Sequence, residues 1–382
     1  MASRRHWHLS FLSAIVGAAL LAACGGGDSE LNVGKVVSFG DSLSDLGAYS
    51  PTSSIPRTGA APYFGGRWTT NTHTGYTAAS NSNTATIWVE WVAARVGVPI
   101  TVAEVGFAGQ SVKCPAAANP ALAGSCTAYG MGGALVTDPN GIRHSEGALT
   151  VPLVTQVANH LARFGNFAAD DIVFVWAGDN EAFVNADAVG AGLPPATAIA
   201  NMQTAANELV ALVKDQIVAK GAKRVAVMNA IDLAITPGGS AQPAPVRGLL
   251  TQLVAAFNTT VAAGLANVDV RIIDVNGHLA AVVANPSTYG FTNVTTAACD
   301  PAKILAVTGG AVTDGASPWC NAAPAAAFTA AGLPNLNTLK TGASASTWLF
   351  ADSNHPTTGG HKTTADFVIT NIKEFGWIPS NL

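Results

Sequence analysis

The chain has 382 residues, 49% of them hydrophobic and only 11% charged, with a net charge of −4. A chain this apolar can bury a large core, which excludes an intrinsically disordered protein, and its slight negative balance, with no cluster of Lys or Arg, argues against a nucleic-acid partner. Beyond the first two dozen residues no apolar run approaches the roughly 18 residues a membrane span requires, and no short-period repeat marks a solenoid.

Arg4 and Arg5 precede an apolar stretch from Leu9 to Leu21. It is too short to cross a bilayer and has the length of a signal-peptide core. The stretch ends in Leu21-Ala22-Ala23-Cys24, which resembles the lipobox of bacterial lipoproteins. The resemblance implies a leader at residues 1–23, cleavage before Cys24 and acylation of its thiol. The protein would then be lipid-anchored in the cell envelope. Gly25 gives no inner-membrane retention signal, which favours the outer membrane. An ordinary signal peptide with an incidental Cys is the simpler alternative. Residues 24–34 contain Gly25-Gly26-Gly27-Asp28-Ser29-Glu30 and read as a flexible tether.

The body then alternates strands with amphipathic helices. Lys35 to Phe39 is a β-prone run stopped by Gly40. Leu153, Val154, Val157, Leu161 and Phe164 fall at helical spacing, ahead of a continuous apolar strand, Ile172 to Trp176. A helix over Pro195 to Lys220 carries Ile199, Met202, Ala206, Leu209, Val213 and Ile217 in steps of three and four, with Gly221 as its C-terminal cap. Strand Arg224 to Met228, a helix through Leu250, Leu253, Val254, Phe257, Val261 and Leu265, and strand Val270 to Asp274 continue the series. Phe367, Val368, Ile372 and Phe375 predict a closing helix. Alternation of this kind predicts right-handed crossovers and an α/β fold with a mainly parallel sheet covered by helices on both faces. Residues 35–382 read as one domain, with irregular insertions near 48–86 and 284–347.

Four cysteines follow Cys24: Cys114, Cys126, Cys299 and Cys320. An even number in an exported protein suggests disulfides. Sequence does not fix the pairing, but closeness along the chain favours Cys114 with Cys126 and Cys299 with Cys320. No C-x-x-C occurs and no His stands near at ligand spacing, which argues against zinc. Neither a Gly-x-Gly-x-x-Gly nor a P-loop is present, so no cofactor is expected.

In open parallel sheets, ligands sit at the carboxyl ends of the strands, so chemistry is sought just after them. The first strand runs into Phe39-Gly40-Asp41-Ser42-Leu43-Ser44-Asp45. The Ile172 strand runs into Trp176-Ala177-Gly178-Asp179-Asn180-Glu181, and near the C-terminus stands Phe350-Ala351-Asp352-Ser353-Asn354-His355-Pro356-Thr357. A serine hydroxyl needs an adjacent base to act as a nucleophile, an imidazole can serve, and an Asp three residues before the His can hold the ring's tautomer.

In order along the chain, these blocks resemble those of the GDSL (SGNH) esterases and lipases. FGDSLSDLG looks like that family's nucleophile block, Gly178-x-Asn180 like its third block (with Glu181 where Asp is usual), and Asp352-x-x-His355 like its fifth. Val105-Gly106-Phe107-Ala108-Gly109-Gln110-Ser111 stands where the second block is sought, without its usual Asn; Gly109 is preferred to Gly106 as the match. GGRWTTN at Gly65 to Asn71, TIWVEWVAARVGVP, and Asn285 to Cys299 extend the similarity to the exported phospholipase/lecithinase-like branch. The resemblance implies a three-layer sandwich of the SGNH, flavodoxin-like kind. It implies an acyl-enzyme serine hydrolase with Ser42, Asp352 and His355 as its triad. The backbones of Ser42 and Gly109 and the amide of Asn180 would form its oxyanion hole. It implies a small-molecule or lipid ester as substrate and no metal.

Asp41 and Asp45 are expected to support the turn. His361 is expected on the surface of the last helix, and His73, His144, His160 and His278 are expected to be structural or solvated. An α/β-hydrolase is disfavoured because its Gly-x-Ser-x-Gly elbow is absent. A catalytically silent envelope lipoprotein of the same fold, binding a glycan or a partner, is the alternative function.

Overall fold

A computed structural model describes residues 32–50, 66–73, 83–310, 312–323 and 337–382. The leader, Cys24 and the start of the tether lie outside them, as do Tyr63 to Gly65 and parts of both insertions. The chain separates into residues 1–31 and 32–382, and every described residue belongs to the second unit.

In chain order the strands are β1 (Val36–Gly40), β2 (Thr101–Val102), β3 (Glu104–Phe107), β4 (Gln110–Lys113), β5 (Cys126–Ala128), β6 (Ile172–Trp176), β7 (Arg224–Met228) and β8 (Arg271–Ile273). The α-helices are α1 (Trp88–Arg95), α2 (Leu153–Phe164), α3 (Asp179–Gly190), α4 (Pro195–Leu212), α5 (Pro237–Ser240), α6 (Ala244–Leu265), α7 (Val275–Ala284), α8 (Pro301–Val307) and α9 (Thr358–Glu374).

Six strands form a parallel sheet in the order β2-β5-β1-β6-β7-β8, and β3 with β4 makes a separate antiparallel hairpin. The central strands are apolar without alternation, as VVSFG, IVFVW and RVAVM, because helices cover both their faces and exclude water from both. Their register is level. Val36 lies opposite Ile172, which lies opposite Arg224, and Gly40, Trp176 and Met228 end the three strands side by side. The loops that leave these ends therefore start from one shelf.

Trp88 and Val92 of α1, Met202 and Leu209 of α4, Leu253 and Phe257 of α6, and Val368 and Ile372 of α9 join the strands in one core. Helix α6 is long and apolar enough to cross a membrane on composition alone. Its stripe of Leu250, Leu253, Val254, Phe257, Val261 and Leu265 is instead buried in that core.

The helix expected over Pro195 to Lys220 is α4 to Leu212 and then a wider π-type turn over Val213–Val218. Gly221 follows at φ +104°, the left-handed conformation that a C-terminal cap requires. The expected strand at Val270 to Asp274 shortens to Arg271–Ile273. Cysteines pair as Cys114–Cys126 and Cys299–Cys320. The first bridge ties the segment after β4 to β5, and the second closes part of the 284–347 insertion.

Candidate active site

Ser42 sits on the shelf, two residues past the end of β1. Gly40 is required there, because a Cβ would come within 2.6 Å of the Trp176 carbonyl on the neighbouring strand. The chain then tightens into a 3-10 turn, Ser42–Ser44, capped by Asp41. The Oδ1 atom of Asp41 accepts the Leu43 N–H at 3.0 Å.

More than three hundred residues later, His355 returns to the same place. Its Nε2 lies 2.9 Å from Ser42 Oγ, and its Nδ1 lies 2.9 and 2.8 Å from the two oxygens of Asp352. Ser42, Asp352 and His355 are all buried. Asp352 Oδ1 also accepts the backbone N–H of Asn354 at 3.0 Å and of His355 at 2.8 Å, and Oδ2 accepts that of Ser317 at 2.8 Å. Burial alone would raise the Asp352 pKa. The His355 charge and these donors outweigh it and hold the carboxylate well below its usual range. The carboxylate is thus fixed and ionised, and with its charge beside Nδ1 the ring keeps Nε2 toward the serine.

Asp45 is the second organising side chain. Its Oδ1 accepts the N–H groups of Gly47 at 2.7 Å and Ala48 at 2.6 Å, while its Oδ2 accepts Gly132 N–H at 2.8 Å and Trp68 Nε1–H at 3.2 Å. One carboxylate therefore joins the Ser42 loop, the loop after β5 and the Trp68 segment. Trp68 in turn packs on the imidazole of His355, with ring centroids 4.6 Å apart. Its carbonyl meets His361 Nε2 at 3.3 Å. This corrects the expected surface position of His361: the ring is 1% exposed, because α9 turns it toward the Trp68 segment, and burial pushes its pKa down to about 3.

Asn180 is the second residue of α3, not its cap; Gly178, at φ +114°, holds the cap position. The Asn180 side chain is buried and donates one amide hydrogen to the Ala134 carbonyl at 2.8 Å, leaving the other hydrogen available. Glu181 reaches the same loop, accepting the Val136 N–H at 2.6 Å. Asp41, Asp179 and Glu181 lie close enough to repel one another. Burial is the main cause that lifts Asp41 to about 6, Glu181 to about 7 and Asp179 well above its ordinary value; the Asp41 charge adds to it at Asp179 and Glu181, and the Asp45 charge adds to it at Asp41.

Gly109 and Gly106 are placed differently from the other site residues. Gly109 is exposed at the tip of the β3–β4 hairpin, at φ +77°, with open space where a Cβ would be. Gly106 spends its N–H on the Ala48 carbonyl at 2.8 Å. The loop that leaves the sheet beside β1 is the one after β5, Tyr129 to Val136. Within it, Gly133 has φ +81°, a Cβ would come within 2.3 Å of the Ile142 carbonyl, and no described residue accepts its N–H. The same holds of the Ser42 N–H. Sequence reasoning overlooked this loop because β5 is only three residues long and carries no strand signal of its own. Two adjacent glycines after it, Gly132 and Gly133, were the available clue.

Two of the other histidines are held by neighbouring side chains. His160 stacks on Phe167 at 4.4 Å, with burial drawing its pKa to about 4, and His144 Nδ1 lies 3.0 Å from Thr150 Oγ1. Among the described residues no group of three or more His, Cys, Asp or Glu side chains could hold a metal ion.

The model of the family described as GDSL-like Lipase/Acylhydrolase matches residues 36–368. The chain belongs to that family. It is accordingly a hydrolase of ester bonds, and the resemblance seen in FGDSLSDLG and DSNH extends over nearly the whole described unit. Among solved structures, the chain is similar to an extracellular lipase from Streptomyces rimosus, with 16% identity and a TM-score of 0.38 over 88% of this chain and 98% of that one. It is also similar to phospholipase A1 from Streptomyces albidoflavus NA297, with 17% identity and a TM-score of 0.36 over 88% and 99% of the two chains. A comparison with curated proteins gives no match.

Proposed function

We propose that the protein cleaves carboxylic esters through an acyl-enzyme on Ser42, with His355 as the base and Asp352 as its partner. The observation that carries this reading is the single unbroken path Ser42 Oγ, His355 Nε2, His355 Nδ1, Asp352, with every link at 2.9 Å or less. As Ser42 Oγ bonds to the acyl carbon, its proton passes to His355 Nε2. The tetrahedral intermediate then collapses, and the leaving alkoxide takes that proton as the ester bond breaks. Water repeats the sequence on the acyl-enzyme, giving its proton to His355 and releasing the carboxylic acid.

Negative charge on the carbonyl oxygen needs preorganised donors. The Ser42 N–H and the second amide hydrogen of Asn180 are two of them. Gly133 suits the third place better than Gly109, since its N–H is unclaimed among the described residues and its loop is tied to Asn180 through Ala134 and to Asp45 through Gly132. The Leu-Ala-Ala-Cys ending of the leader supports lipidation at Cys24, and with it a place at the outer membrane within reach of lipid as well as soluble esters.

A fluorophosphonate probe tests the reading directly. It should label the wild-type protein at Ser42 and leave Ser42→Ala unlabelled; a folded protein that resists the probe would speak instead for a silent binding module.

A further inference from the structure

Beside the base stands a side chain that the reaction described so far does not use. Asn354 directly precedes His355 and is half-buried. Its backbone N–H is held by Asp352 Oδ1 at 3.0 Å, and its side chain turns back on the ring, with Nδ2 3.4 Å from His355 Nε2. The hydroxyl of Ser353 donates to Asn354 Oδ1 at 2.8 Å. Backbone and amide plane are therefore both fixed.

The chemistry of the ring decides which end of the amide faces it. His355 Nδ1 lies against both oxygens of Asp352 and carries the ring's proton, so Nε2 presents a lone pair. An amide oxygen there would set lone pair against lone pair, whereas the amide nitrogen brings a donor. Yet that lone pair already takes the Ser42 hydroxyl at 2.9 Å, and 3.4 Å is long for a second N–H bond to it. No other described residue meets Asn354 Nδ2. Its hydrogens remain for an atom that arrives at Nε2 during turnover. An oxygen about to receive a proton from Nε2 comes to about 2.8 Å from it. Because Nε2 and Nδ2 are only 3.4 Å apart, one oxygen can lie within hydrogen-bond distance of both.

Resting on the reading that Ser42 becomes acylated, we propose that Asn354 is a further catalytic residue, whose amide donates to the leaving-group oxygen of the ester. As the tetrahedral intermediate collapses, the electron pair of the breaking C–O bond passes to that oxygen and Nε2 delivers the proton. Asn354 keeps both its hydrogens and lends only a hydrogen bond. Negative charge on the oxygen grows toward the transition state, so the bond strengthens there. It serves esters of aliphatic alcohols, whose alkoxides leave poorly, more than activated aryl esters.

The test compares ethyl butanoate with p-nitrophenyl butanoate on the full chain. Both give the same acyl-enzyme, so kcat/KM isolates the step in which the alcohol or phenol departs. Asn354→Leu, which keeps the bulk and removes the donor, should lose about tenfold in kcat/KM on the ethyl ester and about twofold or less on the aryl ester. If the leucine variant does not fold, Asn354→Ala is read in its place with the same expectation. Equal losses on the two esters would mean that the side chain only props the imidazole, and they overturn the proposal. So does a variant that matches the wild type on both. Either outcome leaves fluorophosphonate labelling of Ser42 intact, whereas a wild-type protein with neither turnover nor label would overturn the underlying function.

Discussion

Asp352 Oδ2 accepts the backbone N–H of Ser317 at 2.8 Å, so the acid that holds His355 is itself held by a turn 35 residues earlier. That turn, Ser317–Trp319, ends at Cys320, which is bridged to Cys299. Cys299 in turn donates its N–H to the Ala351 carbonyl at 2.9 Å, the residue before Asp352. The disulfide thus clamps both sides of the Asp352 loop. Replacing Cys299 and Cys320 by Ser should cost roughly 3 kcal/mol of stability for the loop it opens. It should also lower kcat more than KM, because the loop that aims His355 is loosened. Thermal unfolding and kinetics on one preparation check both. The Cys114–Cys126 pair, tied to β5 and remote in sequence from the triad, should affect stability without the same loss in kcat.

Trp68 joins Asp45 to His355, and two substitutions separate its two contacts. Trp68→Phe keeps an aromatic ring over the imidazole and loses the N–H to Asp45. Trp68→Ala loses both. If the ring's packing orients His355, kcat should fall about tenfold or more in the alanine variant and only a few-fold in the phenylalanine variant. Equal losses would place the effect in the hydrogen bond to Asp45 instead.

Glu181 gives a pH prediction with a definite sign. Its folded pKa, raised by burial to about 7 from 4.5, means that the native state binds the proton more tightly than the unfolded chain. Its contribution to stability is therefore fully present below pH 4.5 and is lost as pH rises through 7, at no more than about 1.4 kcal/mol per pH unit. Glu181→Gln has no proton to lose, and its amide oxygen can still accept the Val136 N–H. Relative to wild type, the variant should gain stability between about pH 5 and pH 8 in urea titrations. A constant difference across that range would mean the acid does not titrate there. Asp352 works in the opposite sense: its depressed pKa supplies stability above its ordinary value that is lost as pH falls through the folded one.

For the oxyanion hole, Asn180→Ala should cost on the order of 10²–10³ in kcat with little change in KM. Gly133→Ala should also cost kcat heavily, since a Cβ there would collide with the Ile142 carbonyl at 2.3 Å and twist the N–H away. Gly109→Ala at the hairpin tip, with open space around the new Cβ, should change kcat little. A large kcat loss at Gly109 and none at Gly133 would return the donor to the β3–β4 hairpin.

The central strands are legible in the sequence because burial on both faces leaves no alternation to confuse, and Ile172 to Trp176 and Arg224 to Met228 stand where they are expected. The pairing of Asp352 with His355 is legible because its motif carries local geometry: an Asp three residues before a His can bond both its backbone and its ring. What stays hidden depends on long-range closure. Cys126 to Ala128 becomes a strand only because β1 and β2 pair with it, so the loop bearing Gly133 escapes notice and the hairpin glycine is preferred. The roles of Trp68 and Ser317 exist only once segments from both insertions fold against Asp45 and Asp352. His361 is misplaced by sequence because its neighbour on the buried side, Trp68, comes from a segment nearly three hundred residues away.

The most direct test of the catalytic reading is the turnover of Ser42→Ala, His355→Ala and the double variant, each shown to be folded. Nucleophile and base act as a unit, so each single substitution should remove nearly all activity, on the order of 10⁴–10⁶ in kcat, and the double should be scarcely worse than either. A folded Ser42→Ala that keeps most of its ester turnover, or losses that simply multiply in the double variant, would contradict it.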